Sequence, residues 1–229
     1  MFNDKKILAF VPARGGSKGI KGKNIINLAG SPLISYTIKA ALKSQYIDSV
    51  VVSTDSIEIA TIAKKYGARV PFMRPKELAR DTSETVDCVV HAINELNNIG
   101  EVYDVLVLLQ VTQPLRTYLD IDNAIKCFFD YGEKSVVSIS EVSDNPLLIR
   151  YLDENRHMKK MIELNSTCRR QDMPKYYRVN GCIYINSIKE INSMTSFNDN
   201  EIPFIMDKKH SVDIDDMSDL YLAEYYINE

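Results

Sequence analysis

The sequence has little that would mark a membrane, secreted or nucleic-acid-binding protein. No apolar run approaches the roughly 20 residues that a membrane-spanning helix needs. The N-terminal stretch MFNDKK has neither the apolar length nor the small-residue cleavage site of a signal peptide. The formal net charge of the 229 residues is −3, which gives the chain no overall attraction for nucleic acid. We therefore expect a cytoplasmic protein whose ligands are small molecules.

Cysteine is scarce and scattered. The four cysteines (Cys88, Cys127, Cys168 and Cys182) include no C-x-x-C pair, the spacing that is typical of zinc and redox sites. Cys88 and Cys127 lie in segments with apolar periodicity, and we expect both to pack in the core as small hydrophobic residues.

Motifs of several common enzyme classes are also missing. The glycine-rich segment near the N-terminus has no Ser or Thr directly after a Gly-Lys pair, so it is not a Walker loop. Its glycines, Gly15, Gly16 and Gly19, do not have the G-x-G-x-x-G spacing of dinucleotide-binding proteins, which argues against a dehydrogenase. There is no G-x-S-x-G elbow, and the three histidines show no catalytic pairing.

What the same segment does contain is the most informative feature of the chain. The apolar run Ile7 to Val11 predicts a buried strand, and a glycine-rich loop with four cations and no acidic residue follows it. The cations are Arg14, Lys18, Lys21 and Lys23. Glycines let the backbone approach a ligand, and exposed N–H groups in such a loop form a concavity for anions. Because guanidinium and ammonium groups suit phosphate oxygens, the loop predicts a polyanion site.

The periodicity of the first two-thirds of the chain predicts an α/β fold. Strand-like runs at 7–11, 49–54, 69–72, 104–110 and 135–140 alternate with helix-like runs at 32–44, 56–66, 82–98 and 120–131. This alternation indicates right-handed crossovers, a mostly parallel central sheet and helices on both of its faces. We expect one domain over residues 1–229.

The pattern changes after Asp144. Residues 147–151 and 158–164 predict a short hairpin, and 181–186 predicts a strand with alternating burial. We interpret 144–205 as a flap inserted into the single domain, and we expect an acidic turn and a closing helix at the C-terminal end.

Loops that follow parallel strands meet at one rim of a sheet, and ligands lie there. Besides the cationic loop, Ser53–Asp55 and Gln110–Arg116 follow predicted strands and carry polar side chains. Their convergence at one rim would form a cleft for a polyanion.

Two aspartates near the C-terminus suit a metal ion. Asp213 and Asp215 have i, i+2 spacing, which places both on one face of an extended segment. Mg²⁺ commonly takes one or two protein carboxylates and completes its octahedron with phosphate oxygens and water. The pair therefore predicts a Mg²⁺ site, while Asp216 and Asp219 are expected to cap the closing helix. The alternative is a set of solvated carboxylates at a helix start, where anions are favoured.

Two further cationic features are candidates for ligand binding. Arg74 could present its guanidinium to a nucleobase or a phosphate, or it could form a surface salt bridge with Glu77 or Asp81. A second patch suits a ligand carboxylate, because arginine binds carboxylates bidentately, although a solvated loop or a subunit contact is the alternative. The patch consists of Arg169, Arg170, Lys175 and Arg178.

These motifs together resemble those of the N-acylneuraminate cytidylyltransferases, also called CMP-sialic acid synthetases. The matching pieces occur in family order and cover nearly the whole chain. They are ARGGSKGIKGKN (13–24), VSTDSIEIA (52–60), RPKELARDT (74–82), LQVTQPLR (109–116), VVSISE (136–141), RRQDMPKYYRVNGCIYI (169–185) and SVDIDDMSDL (211–220). Close relatives in this family activate legionaminic or pseudaminic acid, and more distant ones activate 3-deoxy-manno-octulosonate.

The resemblance implies a Rossmann-like fold of the nucleotide-diphospho-sugar transferase type and a Mg²⁺-dependent nucleotidyl transfer. The 2-hydroxyl of N-acylneuraminate would attack the α-phosphate of CTP, diphosphate would leave, and a CMP-sugar would form. The resemblance also implies a homodimer in which 144–205 reaches the partner's active site. An isolated flap of this kind would expose Phe197, Ile202, Phe204 and Ile205.

The resemblance also implies roles for individual residues. For catalysis it implies Arg14, Lys23, Asp213 and Asp215, of which the two aspartates would bind the metal. For nucleotide binding it implies Ala13, Arg14, Gly15, Ser17, Lys18, Lys23, Asn24, Arg74, Ser83 and Thr85. For sugar binding it implies Gln110, Thr112, Arg170, Asn180, Tyr184 and Phe197, with Arg170 a candidate for the sugar carboxylate.

Three positions depart from the family pattern. Gln113 stands where the family usually has Ser in Q-x-T-S-P-L-R, Leu148 lies near a position that is often lysine, and Phe197 stands alone where some members have paired phenylalanines. These departures do not affect the residues implied for nucleotide chemistry, but they leave the identity of the sugar open.

Two other functions are compatible with the sequence patterns. One is a pyrophosphorylase of the same fold that makes another nucleotide sugar, although an aldose phosphate needs no second carboxylate-binding patch. The other is a noncatalytic nucleotide-binding module, which would not need the pair Asp213 and Asp215.

Overall fold

A computed structural model describes residues 2–16, 19–165, 167 and 169–229, with the backbone alone for Arg170. In chain order the strands are β1 (Ile7–Pro12), β2 (Asn27–Leu28), β3 (Ser31–Pro32), β4 (Ser49–Ser53), β5 (Val105–Leu108), β6 (Val136–Glu141), β7 (Arg150–Leu152), β8 (Met158–Lys160), β9 (Tyr177–Ser187) and β10 (Ile202–Ile205). The α-helices are α1 (Leu33–Lys43), α2 (Ile57–Lys65), α3 (Thr85–Asn98), α4 (Tyr118–Asp130) and α5 (Met217–Asn228).

The main sheet has the strand order β10-β6-β9-β5-β1-β4. Strand β1 pairs in parallel with β4 and β5, and β10 pairs in parallel with β6. Strand β9 is antiparallel to both of its neighbours, β5 and β6. The predicted mostly parallel sheet is therefore confirmed, with one antiparallel strand inserted near its middle.

Helices cover both faces of this sheet, as predicted. Side chains of β1 alternate between two cores, because successive residues of a strand point to opposite faces. Ile7, Ala9 and Val11 pack into the core that contains buried residues of α1, α2, α4 and α5. Leu8 and Phe10 pack into the other core, which contains the buried face of α3. The result is a three-layer α/β arrangement.

Strands β9 and β10 both lie within 144–205, the range that the sequence pattern assigned to an inserted flap. They are integral strands of the main sheet, and β9 is buried continuously from Cys182 to Ser187 rather than in alternation. The part of that range outside the sheet includes the antiparallel hairpin β7–β8, whose strands are shorter than predicted. The role of 144–205 in dimerisation stays a prediction.

Two local predictions were wrong. Residues 69–72 do not form a strand; Arg69 alone bridges to Val51, with Arg69 N donating to Val50 O at 2.8 Å. Pro71 has no N–H to continue the ladder. Helix α3 begins at Thr85 and not at Thr82, because the chain before it forms a tight turn in which Ser83 Oγ donates to Glu77 O at 2.9 Å.

Among the described residues, no helix is both long and apolar enough to cross a membrane.

Candidate active site

The cationic loop and the acidic pair meet at the rim formed by the carboxyl ends of β1 and β4. Lys23 Nζ donates to Ile214 O at 2.9 Å and to Asp215 Oδ1 at 3.1 Å, although these residues are almost 200 positions apart. Gly19 lies so close to the acidic segment that a Cβ there would be 2.7 Å from Asp215 O. The contact between Lys23 and Asp215 joins two motifs that the resemblance assigns to one catalytic site.

The loop itself is held by backbone hydrogen bonds to its neighbours. Gly15 N donates to Asp55 Oδ1 at 2.8 Å, and Ala13 N donates to Ser53 O at 3.0 Å. Asn24, which is buried, donates from Nδ2 to Arg14 O at 2.8 Å. The loop after β1 thus rests on the loop after β4, as the sequence predicted. Ser17 and Lys18, both predicted to bind the nucleotide, lie outside the described residues.

Arg14 has partners that the sequence did not indicate. Its Nη1 donates to Arg80 O at 2.9 Å, and its Nη2 lies 3.0 Å from Asp81 Oδ1. The turn before α3 therefore holds the guanidinium at the edge of the cleft. Asp81 was considered as a partner of Arg74, and it pairs with Arg14 instead.

Arg74 is a buried residue of the cleft wall. Only 6% of it is exposed, Nε donates to Ser53 Oγ at 3.0 Å, and Nη2 donates to Ser53 O at 2.6 Å. Burial lowers the pKa of its guanidinium, because the charged form loses water. The alternative of a surface salt bridge is wrong, and Ser53 presents Arg74 as a fixed donor.

A cleft of about 480 Å³ lies between these elements. Its lining includes most of the predicted nucleotide-binding side chains, namely Arg14, Lys23, Asn24, Arg74, Ser83 and Thr85. Gln110, Thr112 and Asp215 line the same cleft. Its walls are rich in cations and hydrogen-bond donors, which suits an elongated anionic ligand.

A second cleft, of about 350 Å³, shares Ser83, Thr85 and Gln110 with the first and adds Tyr184 and Phe197. Here the hydroxyl of Tyr184 donates to Asn198 Oδ1 at 2.9 Å. Burial raises the pKa of Tyr184 to about 12, and the charge of Asp213 adds to the rise. Tyr184 is therefore a neutral hydroxyl at physiological pH.

An isolated flap would expose Phe197, but in the structure only 7% of this residue is exposed. Its ring packs against Tyr184 with the centroids 6.1 Å apart, within the core that contains α3. The two rings form a mixed polar and apolar wall of the second cleft.

A third recess, of about 250 Å³, surrounds Gly181 and is lined by Gln110, Asn180, Tyr184 and Asp213, among others. Gly181 has a φ of +74°, a conformation that favours glycine, and a Cβ there would be 2.8 Å from Gln110 Oε1 and would displace that amide.

The side chain of Asn180 is used within the protein. Its Oδ1 accepts from Ser138 Oγ at 2.6 Å and from Cys182 N at 3.1 Å, and its Nδ2 donates to Ser211 Oγ at 3.0 Å. Asn180 thus braces β9 at Gly181, next to the register shift in its pairing with β6.

The donor set at the acidic pair suits a divalent cation. Burial raises the pKa of Asp213, and the neighbouring charge of Asp215 raises it further. Asp213 Oδ1 is buried and has no hydrogen-bond partner among the described residues. The described part of the chain holds no group of three or more His, Cys, Asp or Glu side chains arranged for a metal. Oxygens of a substrate would have to complete the coordination.

Asp216 caps α5, as predicted. Its side chain accepts from Ser218 N at 2.8 Å and from Asp219 N at 3.2 Å, and Asp219 Oδ2 accepts from Asp216 N at 3.0 Å. Asp216 and Asp219 therefore cap the helix, and Asp213 and Asp215 are the acidic residues of this segment that are not part of the capping box.

The second cationic patch is partly neutralised. Arg169 Nε donates to Asp172 Oδ2 at 2.8 Å, and Lys175 Nζ lies 3.1 Å from Glu141 Oε2. Arg178 lines the third recess. The side chain of Arg170, the predicted carboxylate ligand, lies outside the described residues.

Arg116 is a buried residue of the site, within the segment LQVTQPLR (109–116), to which the sequence patterns assigned no role. Arg116 is 3% exposed, with Nη1 donating to Cys182 O at 2.7 Å and Nη2 to Thr37 Oγ1 at 2.8 Å. It ties the loop after β5 to β9 and α1, and so fixes Gln110. The sequence feature that could have indicated this role is that Arg116 is the one charged residue of the segment LQVTQPLR.

Comparison with known proteins identifies the family of the chain. A family model described as Cytidylyltransferase matches residues 8–226. The chain is 38% identical over 224 residues to a CMP-N,N'-diacetyllegionaminic acid synthase of Legionella pneumophila, with 96% of this chain and 95% of the relative aligned. It is 34% identical to a pseudaminic acid cytidylyltransferase of Campylobacter jejuni, with 97% of each aligned.

It is also 35% identical to an N-acylneuraminate cytidylyltransferase of Escherichia coli, where 95% of this chain aligns with 51% of the relative. Among solved structures, a CMP:2-keto-3-deoxy-manno-octonic acid synthetase complexed with CTP superposes with a TM-score of 0.72 at 16% identity, over 97% of this chain and 98% of the other. That similarity shows the fold. The family match over nearly the whole length shows that the chain belongs to the cytidylyltransferase family of enzymes.

Proposed function

We propose that this protein transfers the cytidylyl group of CTP to a nonulosonic acid, with release of diphosphate and formation of a CMP-sugar. The observation that carries the proposal is the contact of Lys23 with Ile214 O and Asp215 at the mouth of a cleft that Arg14 and Arg74 also line. The names of the aligned relatives support both the nucleotide and the class of sugar.

The first cleft is proposed to hold CTP. Arg14 and Lys23 would neutralise the triphosphate, since charge-assisted hydrogen bonds to phosphate oxygens are among the strongest. Arg74, held by Ser53, would donate to the cytosine together with Ser83 and the backbone near Ala13. Because the Arg74 side chain is already buried and fixed, it would lose little conformational entropy when it binds the cytosine, which favours affinity.

The second cleft and the third recess are proposed to hold the sugar acid. Gln110 lines all three cavities and therefore lies where nucleotide and sugar would meet. Tyr184 and Phe197 would contact the sugar body, and Thr112 would lie beside its reacting end. For the sugar carboxylate we propose Arg170, with Arg178 available at the recess.

In the proposed reaction the sugar 2-hydroxyl oxygen bonds to the α-phosphorus of CTP. The bond from that phosphorus to the bridging oxygen breaks, and diphosphate leaves with the electron pair. The hydroxyl proton would pass to Asp213, which lines the recess proposed for the sugar. Most of the acceleration would come from positioning and charge neutralisation, as in other phosphoryl transfers.

Asp213 and Asp215 are the proposed protein ligands of Mg²⁺. The orphaned Oδ1 of Asp213 and the proximity of the cationic loop support this assignment. When bound, the ion would neutralise charge on the phosphate oxygens.

We also propose a homodimer that uses the β7–β8 hairpin. Tyr151 and Leu152 are each 58% exposed and Met158 is 74% exposed, and exposed apolar clusters of this kind mark interaction surfaces. A cytoplasmic location stays a prediction.

The test of the proposed reaction is diphosphate release from CTP with a panel of sugar acids. The panel contains N-acetylneuraminate, which the sequence motifs favour, together with N,N'-diacetyllegionaminate, pseudaminate and 3-deoxy-manno-octulosonate. Asp213→Asn should abolish release, whereas the capping variant Asp216→Asn should retain it. Absence of release with every sugar would overturn the proposal in favour of a noncatalytic nucleotide-binding module.

A further inference from the structure

The loop after β4 contacts two separate parts of the first cleft. Ser53 O accepts from Ala13 N at 3.0 Å and from Arg74 Nη2 at 2.6 Å. Asp55 Oδ1 accepts from Gly15 N at 2.8 Å. The loop after β4 therefore holds both the cationic loop and the arginine that is proposed to bind the cytosine, although the resemblance implied a role for none of its residues.

The carboxylate of Asp55 is unexpected beside a loop that is proposed to bind phosphates, because like charges repel one another. Its bond to Gly15 N gives a physical reason for it, since an ionised acceptor binds a backbone N–H more strongly than a neutral one. The charge is also tolerated locally, because helix α2 begins two residues later, at Ile57, and a helix N-terminus favours negative charge.

The backbone that carries the Arg14 guanidinium is fixed at three consecutive residues. Ala13 and Gly15, which flank Arg14, both donate their N–H groups to the loop after β4. Arg14 O accepts from Asn24 Nδ2 at 2.8 Å. Asp55 is the acceptor of one of these three bonds, so the direction of Arg14 depends in part on the Asp55 carboxylate.

Asp55 itself lies on a rigid part of the chain. Ser56 N donates to Thr54 Oγ1 at 3.1 Å, and Ser56 Oγ caps α2 by accepting from Ile59 N at 3.4 Å. Thr54 is fully buried. A side chain that is supported in this way can hold a neighbouring loop with little variation in position.

We propose that Asp55 is a positioning residue that holds the cationic loop through Gly15 N and so directs Arg14 at the triphosphate of CTP. The inference rests on the function proposed above. Because Arg74 is held by Ser53 and not by Asp55, Asp55 should govern the affinity for the phosphates and not the affinity for the base. The competing interpretation is that Asp55 and a phosphate oxygen compete for Gly15 N, in which case removal of the carboxylate would strengthen CTP binding.

The test measures the affinities for CTP and for CMP, which lacks two phosphates, by calorimetry, both with Mg²⁺ and with EDTA in its place. Asp55→Ala removes the acceptor, whereas Asp55→Asn removes the charge and keeps an oxygen that can accept from Gly15 N. The matched control is Asp104→Ala, because Asp104 Oδ2 accepts from Lys6 N at 2.8 Å at the opposite end of β1.

We expect Asp55→Ala to weaken CTP binding by about 10- to 100-fold, because a displacement of about 1 Å in a site can cost about 100-fold. The loss should appear in EDTA as well as with Mg²⁺, since it acts through the loop and not through a metal ion. The affinity for CMP should change far less. Asp55→Asn should bind CTP nearly as the wild type does, and Asp104→Ala should match the wild type.

The proposal is overturned if Asp55→Ala binds CTP as tightly as the wild type, or more tightly, as competition for Gly15 N would require. A loss that disappears in EDTA, or that Asp55→Asn shares, would show a metal-binding or purely electrostatic role and would also overturn it. If urea unfolding shows that Asp55→Ala does not fold, Asp55→Glu is measured in the same way, because its longer side chain should displace the loop and weaken CTP binding. Unfolding of both variants would show a structural role only and overturn the proposal.

Failure of the proposed reaction is a separate result. A wild-type protein that binds CTP and releases no diphosphate refutes that reaction, and the binding measurements still test Asp55. A wild-type protein that binds no CTP overturns both proposals.

Discussion

Gly19 provides a sharp test of the contact between the cationic loop and the acidic segment. A Cβ at this position would lie 2.7 Å from the backbone carbonyl oxygen of Asp215, whereas ordinary contacts begin at 3.4 Å. Because the obstructing atom belongs to the backbone, no side-chain rotation can relieve the contact. Gly19→Ala must therefore push the loop that carries Lys23 away from the segment that carries Asp213 and Asp215.

The effect on stability should be moderate and the effect on activity larger. Overpacking costs about 1–3 kcal/mol. The lower entropy of the unfolded chain in a Gly→Ala variant offsets about 0.4–1 kcal/mol of this. Activity is more sensitive, because a misplacement of about 1 Å near the chemistry can cost about 100-fold. We expect the free energy of unfolding of Gly19→Ala to fall by about 1–2 kcal/mol. Its kcat/KM for CTP should fall by about 10- to 100-fold.

Gly16 is the matched control in the same loop. A Cβ on Gly16 meets no heavy atom of the described residues within 4 Å, and its φ lies outside the left-handed region. Gly16→Ala should change stability by no more than about 0.5 kcal/mol and leave turnover near that of the wild type. Urea unfolding and diphosphate release measure both quantities. If Gly19→Ala behaves like Gly16→Ala, the loop and the acidic segment are not in the close contact described.

Three further predictions concern charge and assembly. The raised pKa of Asp213 means that its contribution to stability is full below about pH 3.8 and lost as the pH rises through the raised value. Asp213→Asn should therefore be inactive yet at least as resistant to urea as the wild type at pH 7, and a lower urea midpoint would contradict this. Arg14→Ala should raise KM for CTP by about 10- to 100-fold and KM for the sugar much less, since hydrogen bonds to charged groups contribute about 1.5–3 kcal/mol; equal increases would show that the loop is misassigned. The protein should sediment as a dimer at micromolar concentration and Leu152→Asp should shift it toward monomer, whereas an active wild-type monomer would refute the proposed interface.

The elements that local patterns predicted are those stabilised by local interactions. Helix α2 ends before Gly67, and the capping box of Asp216 and Asp219 is formed by residues three apart in sequence. The position of β9 could not be predicted in this way. Its residues favour a strand, but its antiparallel insertion between β5 and β6 depends on partners 36 or more positions away.

The residue types of the site were more predictable than the hydrogen-bond and ion-pair partners of the individual side chains. The rule that ligands bind at the carboxyl ends of parallel strands brought together the cationic loop and the loop after β4, and the shared chemistry of phosphate and Mg²⁺ linked Lys23 with Asp215. The partners of individual side chains were not predictable, because they depend on side-chain directions and on distant segments. Arg74 is held by Ser53 and Arg14 by Asp81, which lie 21 and 67 positions away.

The ion pairs of the first cleft have a consequence for how CTP would bind. Arg14 pairs with Asp81 and Lys23 pairs with Asp215, and both aspartates are substantially exposed, at 47% and 79% of their side chains. Exposed ion pairs contribute only about 0–1 kcal/mol, so exchanging an aspartate for phosphate oxygens costs little. Meanwhile each pair keeps its cation directed at the cleft and reduces the entropy lost on binding.

The two cations are not held equally. The side chain of Lys23 is 13% exposed and donates to a backbone carbonyl as well as to Asp215, whereas the side chain of Arg14 is 32% exposed. Because Lys23 can keep its bond to Ile214 O while it meets a phosphate, it needs little rearrangement. Arg14 likewise donates to a backbone carbonyl, Arg80 O, so only its pair with Asp81 has to be exchanged when the triphosphate binds.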